Sequence, residues 1–212
     1  MFDLDGTLLN TLTDLADAGN RLCRKYGWPT HERQAYRYFV GNGIPKLVER
    51  LAPADQRTPA VLEAALADFK RDYGQHLRDT TAPYPGIPEM LAKLKANGVQ
   101  LAVFSNKADA LAKEVVKDYF GTQYFTIVRG QMTGVAPKPA AEGTNALLQA
   151  LHADPASTLY VGDSNVDVET AHNANLPCCG AVWGFRTREE LNAAGAEYLA
   201  ENSDELYDVI MK

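Results

Sequence analysis

From residue 81 onward the chain alternates short apolar runs with helical stretches, and that alternation confines it to very few folds. Pro85-Gly86 opens a helical stretch over 87–97, and Gly98 stops it where a helix C-terminus favours glycine. Residues 99–104 then read as an apolar strand, closed by Ser105-Asn106. A helix over 108–118, a strand over 125–128, a loop with glycines, a helix over 140–152 and a strand over 158–161 follow. A further helix, a strand near 178–182 and two closing segments complete the series. Repeated strand-helix-strand units predict an α/β fold, doubly wound about a mostly parallel sheet in a Rossmann-like core. Ligands of such folds bind outside the carboxyl ends of the strands.

Residues 11–80 break the pattern and read as helices throughout: 11–26, ended by Gly27 and Trp28-Pro29, then 31–39, 44–51 and 59–77. In the last, Val61, Leu62, Ala65, Leu66 and Phe69 recur at helical spacing. The expected organisation is a core made of 1–10 and 81–212 with a small all-helical cap, 11–80, inserted in it. Within the cap, Gly41-Asn42-Gly43 permits unusual backbone angles. It serves either as the turn between two helices or as a loop over a ligand.

At the start of the chain, Asp3 and Asp5 stand two apart where an apolar run meets Gly6. Strand side chains alternate faces, so two carboxylates at this spacing can converge on one centre, while glycine lets the backbone turn away. A turn or a calcium loop has the same local composition. Residues 159–167 repeat the theme, with a strand, Gly162, and then Asp163 and Asp167 four apart. On a helix those two share a face and can flank a cation. As plain helix chemistry, Asp163 is an N-cap and Asp167 a first-turn acid favoured by the dipole. Ser105-Asn106-Lys107 is either a helix cap or, through its hydroxyl and free N–H groups, a phosphate site. Lys138, between Pro137 and Pro139, sits on a stiff segment.

Composition narrows the partners. The net charge is −6 with a pI near 5.2, and no Lys/Arg block tracks a nucleic-acid backbone, which disfavours DNA or RNA. The three cysteines form no spaced framework, which fits a reducing cytoplasm. No basic stretch followed by an apolar one opens the chain, and no apolar run approaches the ~18 residues of a membrane span. Residues 1–4 are short beside the ~5–6 residues of an average strand, as a clipped start would explain.

Four of these signals share one order and spacing. Asp3-Leu4-Asp5-Gly6-Thr7, Ser105 after an apolar strand, Lys138-Pro139, and Gly162-Asp163-Ser164 with Asp167 together resemble the four motifs of the haloacid-dehalogenase-like phosphohydrolases. The resemblance spans the whole chain and is closer to the phosphoglycolate-phosphatase-like branch. Val40-Gly41-Asn42-Gly43, Pro83-Tyr84-Pro85-Gly86 and Val182-Trp183-Gly184-Phe185 carry that finer similarity. Asn10, Ala141, Asn175 and the Gln131-Met132 pair depart from the family pattern, and Asn175 still suits a left-handed helix terminus.

The resemblance implies that Asp3 attacks phosphorus to form an aspartyl-phosphate that water then hydrolyses. Asp5 is the implied proton shuttle; Gly6, Thr7, Ser105, Asn106 and Lys138 attend the phosphate, and Asp167 supports metal and lysine. Counting Asp3, Asp5, Asp163 and Asp167 against Lys138 leaves three net negative charges where an anion must bind. Mg²⁺ on Asp3, Asp163 and the carbonyl of Asp5 is therefore expected to be essential, and the absence of a His/Cys cluster argues against zinc. A small phosphorylated metabolite is the expected substrate, with Gly41, Asn42 and Gly43 as the cap's substrate loop. The competing readings are a sugar-phosphate mutase or pyrophosphatase on the same scaffold, and more remotely a phosphoacceptor signalling module.

Overall fold

The structure, a computed structural model, describes residues 1–212. Its backbone divides into two compact units, Met1–Asn10 with Pro83–Lys212, and Thr11–Ala82.

In the first unit residues 1–3 lie in the middle of the sheet. Phe2 exchanges N–H and C=O with Ala102 and Phe104 on one side, and Asp3 N–H and Met1 C=O pair with Val161 on the other, all at 2.8 Å. Apart from the two-residue strands β1 (Leu9–Asn10) and β2 (Ala82–Pro83), the strands flank this segment: on the first side β3 (Leu101–Ala108) and then β4 (Phe125–Gln131), on the second β5 (Tyr160–Gly162), β6 (Cys178–Ala181) and β7 (Tyr198–Ala200). Every pairing is parallel. Helices α5 (Ile87–Ala96), α6 (Asp109–Phe120), α7 (Ala141–Leu151), α8 (Asn165–Asn173) and α9 (Arg188–Ala194) make the crossovers, and α10 (Ser203–Ile210) follows β7. A strand buried on both faces must be apolar throughout rather than alternating, which is why Leu101 to Phe104 are all buried. One apolar cluster joins the sheet residues Met1, Ala102, Phe104 and Tyr160 to Leu147 of α7 and Val168 of α8.

Two expectations need correction. The strand expected over 99–104 starts at Leu101, because Gly98 and Val99 are spent closing α5 on Lys95 and Leu94. It also does not close at Ser105-Asn106 but runs on to Ala108. Four residue steps from Phe104 to Ala108 face two from Arg129 to Gln131, so β3 bulges across 105–107. The second correction concerns α8, whose N-cap is Ser164, leaving Asp163 one residue outside the helix. The Asp163 carboxylate is thereby available for something other than capping.

The second unit holds α1 (Leu12–Tyr26), α2 (Arg33–Phe39), α3 (Ile44–Leu51) and α4 (Pro59–Gln75). Gly27 ends α1 in the left-handed conformation (φ 68°), as the sequence predicts. Gly19 permits the Tyr36 ring to lie against α1, since a Cβ there would meet the ring at 2.5 Å. Asp14, buried in the first turn of α1, accepts four hydrogen bonds, from the N–H and hydroxyl of Thr80 and of Thr81. It thus ties the start of the unit to its end. No helix in either unit is long and apolar enough to cross a membrane.

Candidate active site

The parallel sheet aims several chain segments at one edge, and the acidic residues gather there. Asp3 ends the central segment, the bulge of β3 presents 105–107, and Asp163 follows β5. Carboxylate oxygens of Asp3, Asp163 and Asp167 lie within 4.8 Å of one another, and all three residues are buried.

Lys138 makes this density of charge tolerable. Its Nζ donates to Asp3 Oδ1 and to Asp167 Oδ1, both at 2.7 Å, with the Tyr160 hydroxyl at 3.2 Å and the Phe104 carbonyl at 3.3 Å. Burial works against the ammonium, but the carboxylates of Asp167 and Asp3 outweigh it and hold the lysine above its ordinary titration range. Asp3 goes the other way: burial, only partly opposed by Lys138, pushes its carboxyl up to about 7. Burial also raises Asp163, helped by the charges of Asp167 and Asp3. Asp3 and Asp163 therefore keep their protons to higher pH than an exposed aspartate does.

The supporting hydrogen bonds are specific. Asn106 grips the backbone of Lys138, its Oδ1 accepting from Lys138 N–H at 2.8 Å and its Nδ2 donating to Lys138 C=O at 3.2 Å. Ser105 Oγ accepts from Lys107 N–H at 3.2 Å. Asp167 Oδ2 takes both the N–H and the hydroxyl of Ser164, which fixes the start of α8 and the acid together. Asp163 is held from two sides, by the Thr7 hydroxyl on Oδ1 at 2.9 Å and by Phe185 N–H on Oδ2 at 2.8 Å. Gly6 (φ 93°) leaves room for that carboxylate, since a Cβ at residue 6 would lie 2.3 Å from Asp163 Oδ2. Gly184 does the same from the opposite wall, where a Cβ would stand 2.2 Å from Asp163 Cβ and 2.6 Å from Gly6 O. Trp183 closes the turn by donating its indole N–H to Thr7 O at 3.0 Å.

Of the residues singled out from the sequence, Asp3, Gly6, Thr7, Ser105, Asn106, Lys138, Asp163 and Asp167 come together in this bonded set. The Asp5 carboxylate stands apart from the three-acid cluster and pairs with Lys107 Nζ at 3.1 Å. Gly41, Asn42 and Gly43 belong to the second unit, where Arg50 donates to Asn42 Oδ1 at 2.8 Å. Sequence reasoning missed Lys107. With it, two buried lysines face four carboxylates, and the net charge is two negatives rather than the three counted from the sequence. It also missed the 183–186 turn as a wall of the site, although Val182-Trp183-Gly184-Phe185 was the stretch that could have signalled it.

A parallel doubly wound sheet with an aspartate at its central carboxyl end, a buried lysine across from it and an acid pair just after the next strand defines a group. The chain belongs to the haloacid dehalogenase-like hydrolase family, whose model matches residues 1–181. Within that family it is a phosphoric monoester hydrolase of the phosphoglycolate-phosphatase-like branch. It is 31% identical to the phosphoglycolate phosphatase of Chromobacterium violaceum over 99% of this chain and 94% of that one. It is also 33% identical to that of Neisseria meningitidis over 87% and 80%. A solved structure assigned as a phosphoglycolate phosphatase from Lactobacillus delbrueckii superposes with a TM-score of 0.93 at 28% identity, covering 99% of this chain and 96% of that one.

Proposed function

We propose that this protein is a Mg²⁺-dependent phosphatase of small phosphomonoesters, phosphoglycolate first among them, acting in the cytoplasm through an aspartyl-phosphate on Asp3. One observation carries the reading: Asp3, Asp163 and Asp167 share a buried cluster in which Lys138 bridges Asp3 and Asp167. A donor set of carboxylate oxygens without histidine or cysteine suits a hard divalent cation. Lys138 occupies one oxygen of Asp3 and one of Asp167, and Ser164 occupies the other oxygen of Asp167. As the family resemblance implies, Asp3, Asp163 and the backbone carbonyl of Asp5 are the groups that would hold Mg²⁺, with Asp167, whose Oδ1 is paired with Lys138, in support. When bound, the ion's two positive charges would offset the pocket's two net negative charges.

In the proposed reaction a carboxylate oxygen of Asp3 attacks phosphorus and the bond to the leaving oxygen breaks. Asp5 gives that oxygen its proton. In the second half Asp5 takes a proton from the attacking water, the Asp3–phosphorus bond breaks, and phosphate leaves. Ser105, the N–H of Asn106 and Lys138, with Gly6 and Thr7 shaping the opposite wall, hold the transferring oxygens; a preorganised donor of this kind is worth about 10²–10³ in kcat.

Two results test the metal. Asp3 bound to a proton up to about pH 7 cannot bind a cation equally well, so metal and proton compete. Without metal, an acid raised above its unfolded value of about 3.9 stabilises the fold fully below that value, and the contribution is lost as the pH rises through about 7. Saturating Mg²⁺ is therefore expected to raise the Tm more at pH 8 than at pH 5.5, read by differential scanning calorimetry. An equal rise at both pH values would speak against ligation by these acids. For the second, Gly184→Ala must displace Asp163 or the Gly6 backbone. It is expected to weaken Mg²⁺ binding in titration calorimetry by about 10–100-fold, as losses of supporting groups do. Unchanged affinity would remove the 183–186 turn from the site.

A further inference from the structure

The bulge of β3 contains a buried cation outside the three-acid cluster. Lys107 Nζ lies 3.1 Å from Asp5 Oδ1 and 3.4 Å from Asp5 Oδ2, and its side chain is 2% exposed. An ammonium taken out of water needs a carboxylate partner, and the charge-assisted bond fixes the acid as firmly as the base. The two lysines thus divide the acids, Lys138 serving Asp3 and Asp167, Lys107 serving Asp5.

Distant residues maintain this arrangement. Lys107 reaches Asp5 from a segment that a regular strand would not supply, since β3 takes two more steps than β4 between Phe104 and Ala108. The bulge rests directly on Gly130 of β4, where a Cβ would meet Lys107 O at 2.4 Å and Asp109 N at 2.8 Å. Asp109 pins it further, its Oδ1 accepting from Gly130 N–H at 2.9 Å. A glycine in the neighbouring strand is therefore part of what seats the lysine.

We propose that Lys107 is a positioning residue for Asp5, holding its carboxylate toward the leaving oxygen and apart from the three-acid cluster, with Gly130 as the seat of the bulge that carries it. This rests on the role given to Asp5 above.

The test uses two esters with different leaving groups. A para-nitrophenolate leaves without a proton, whereas the alkoxide of phosphoglycolate needs one; hydrolysis of the aspartyl-phosphate is common to both, so the defect in leaving-group protonation is read in kcat/KM, which reports only the steps through departure of the leaving group, and there it falls on the second ester. Lys107→Met is expected to lower kcat/KM for phosphoglycolate by ~10²-fold, at the low end of general-acid contributions, and kcat/KM for para-nitrophenyl phosphate by less than ~10-fold. Lys107→Arg should recover part of the selective loss. Gly130→Ala, which leaves the lysine in the sequence, should reproduce it and decides the matter if Lys107→Met does not fold. Equal losses on both esters in the folded variants would overturn the assignment and leave Lys107 a structural ion pair. A wild-type protein that hydrolyses neither ester would instead overturn the proposed function itself.

Discussion

Replacing Asp3 with asparagine is expected to lower kcat by more than ~10⁴-fold while leaving the fold intact, since loss of a nucleophile typically costs up to about 10⁶. The amide matches the carboxylate in shape but gives phosphorus no anionic attacker. The structure also explains why stability should survive. Asp3 is buried at a net cost, which is why its carboxyl is pushed up to about 7 despite Lys138 2.7 Å away. Asparagine removes that cost, and Lys138 keeps Asp167 at 2.7 Å as its counter-charge. A Tm equal to or above that of the metal-free wild type, measured by thermal denaturation, is the companion expectation. Near-native turnover by the variant would remove Asp3 as nucleophile.

Lys138→Met should do the reverse, with stability as the first casualty. The ammonium is the one cation between two buried carboxylates and also lies 5.7 Å from the Tyr160 ring centre and 5.9 Å from that of Phe104. Methionine fills the volume but leaves Asp3 and Asp167 facing each other unpaired. Removing one partner of a buried ion pair costs about 3–5 kcal/mol, which in a chain of this size lowers the Tm by roughly 10 °C. Mg²⁺ supplies positive charge to the same acids and should restore part of the loss. A variant melting with the wild type in chelator would mean that the acids are neutral without the lysine, and the electrostatic description of the pocket would be wrong.

How much of this was legible follows from how local each signal is. The ends of α1 and α5 were readable because Gly27 and Gly98 close them through neighbours only a few residues away. Asn175 takes its left-handed conformation (φ 56°) for the same local reason. The parallel sheet was readable from alternation alone, and its topology then forces Asp3, Ser105 and Asp163 to one edge. Lys107 was not readable. In Ser105-Asn106-Lys107 a lysine looks like a solvated residue after a strand end, and only the bulge, set by Gly130 on another strand, turns it toward an acid 102 positions away. Asp14 escaped notice similarly, its four donors lying at Thr80 and Thr81, far along the chain. The Asn106 side chain is likewise spent on the backbone of Lys138, a pairing invisible without the tertiary structure.

The most direct test is release of inorganic phosphate from phosphoglycolate by the purified chain, measured with Mg²⁺, with a chelator, and in Asp3→Asn. Turnover that requires the ion and vanishes in the variant is the expected result. Hydrolysis that continues in chelator or survives the loss of Asp3 would contradict a metal-dependent aspartyl phosphatase.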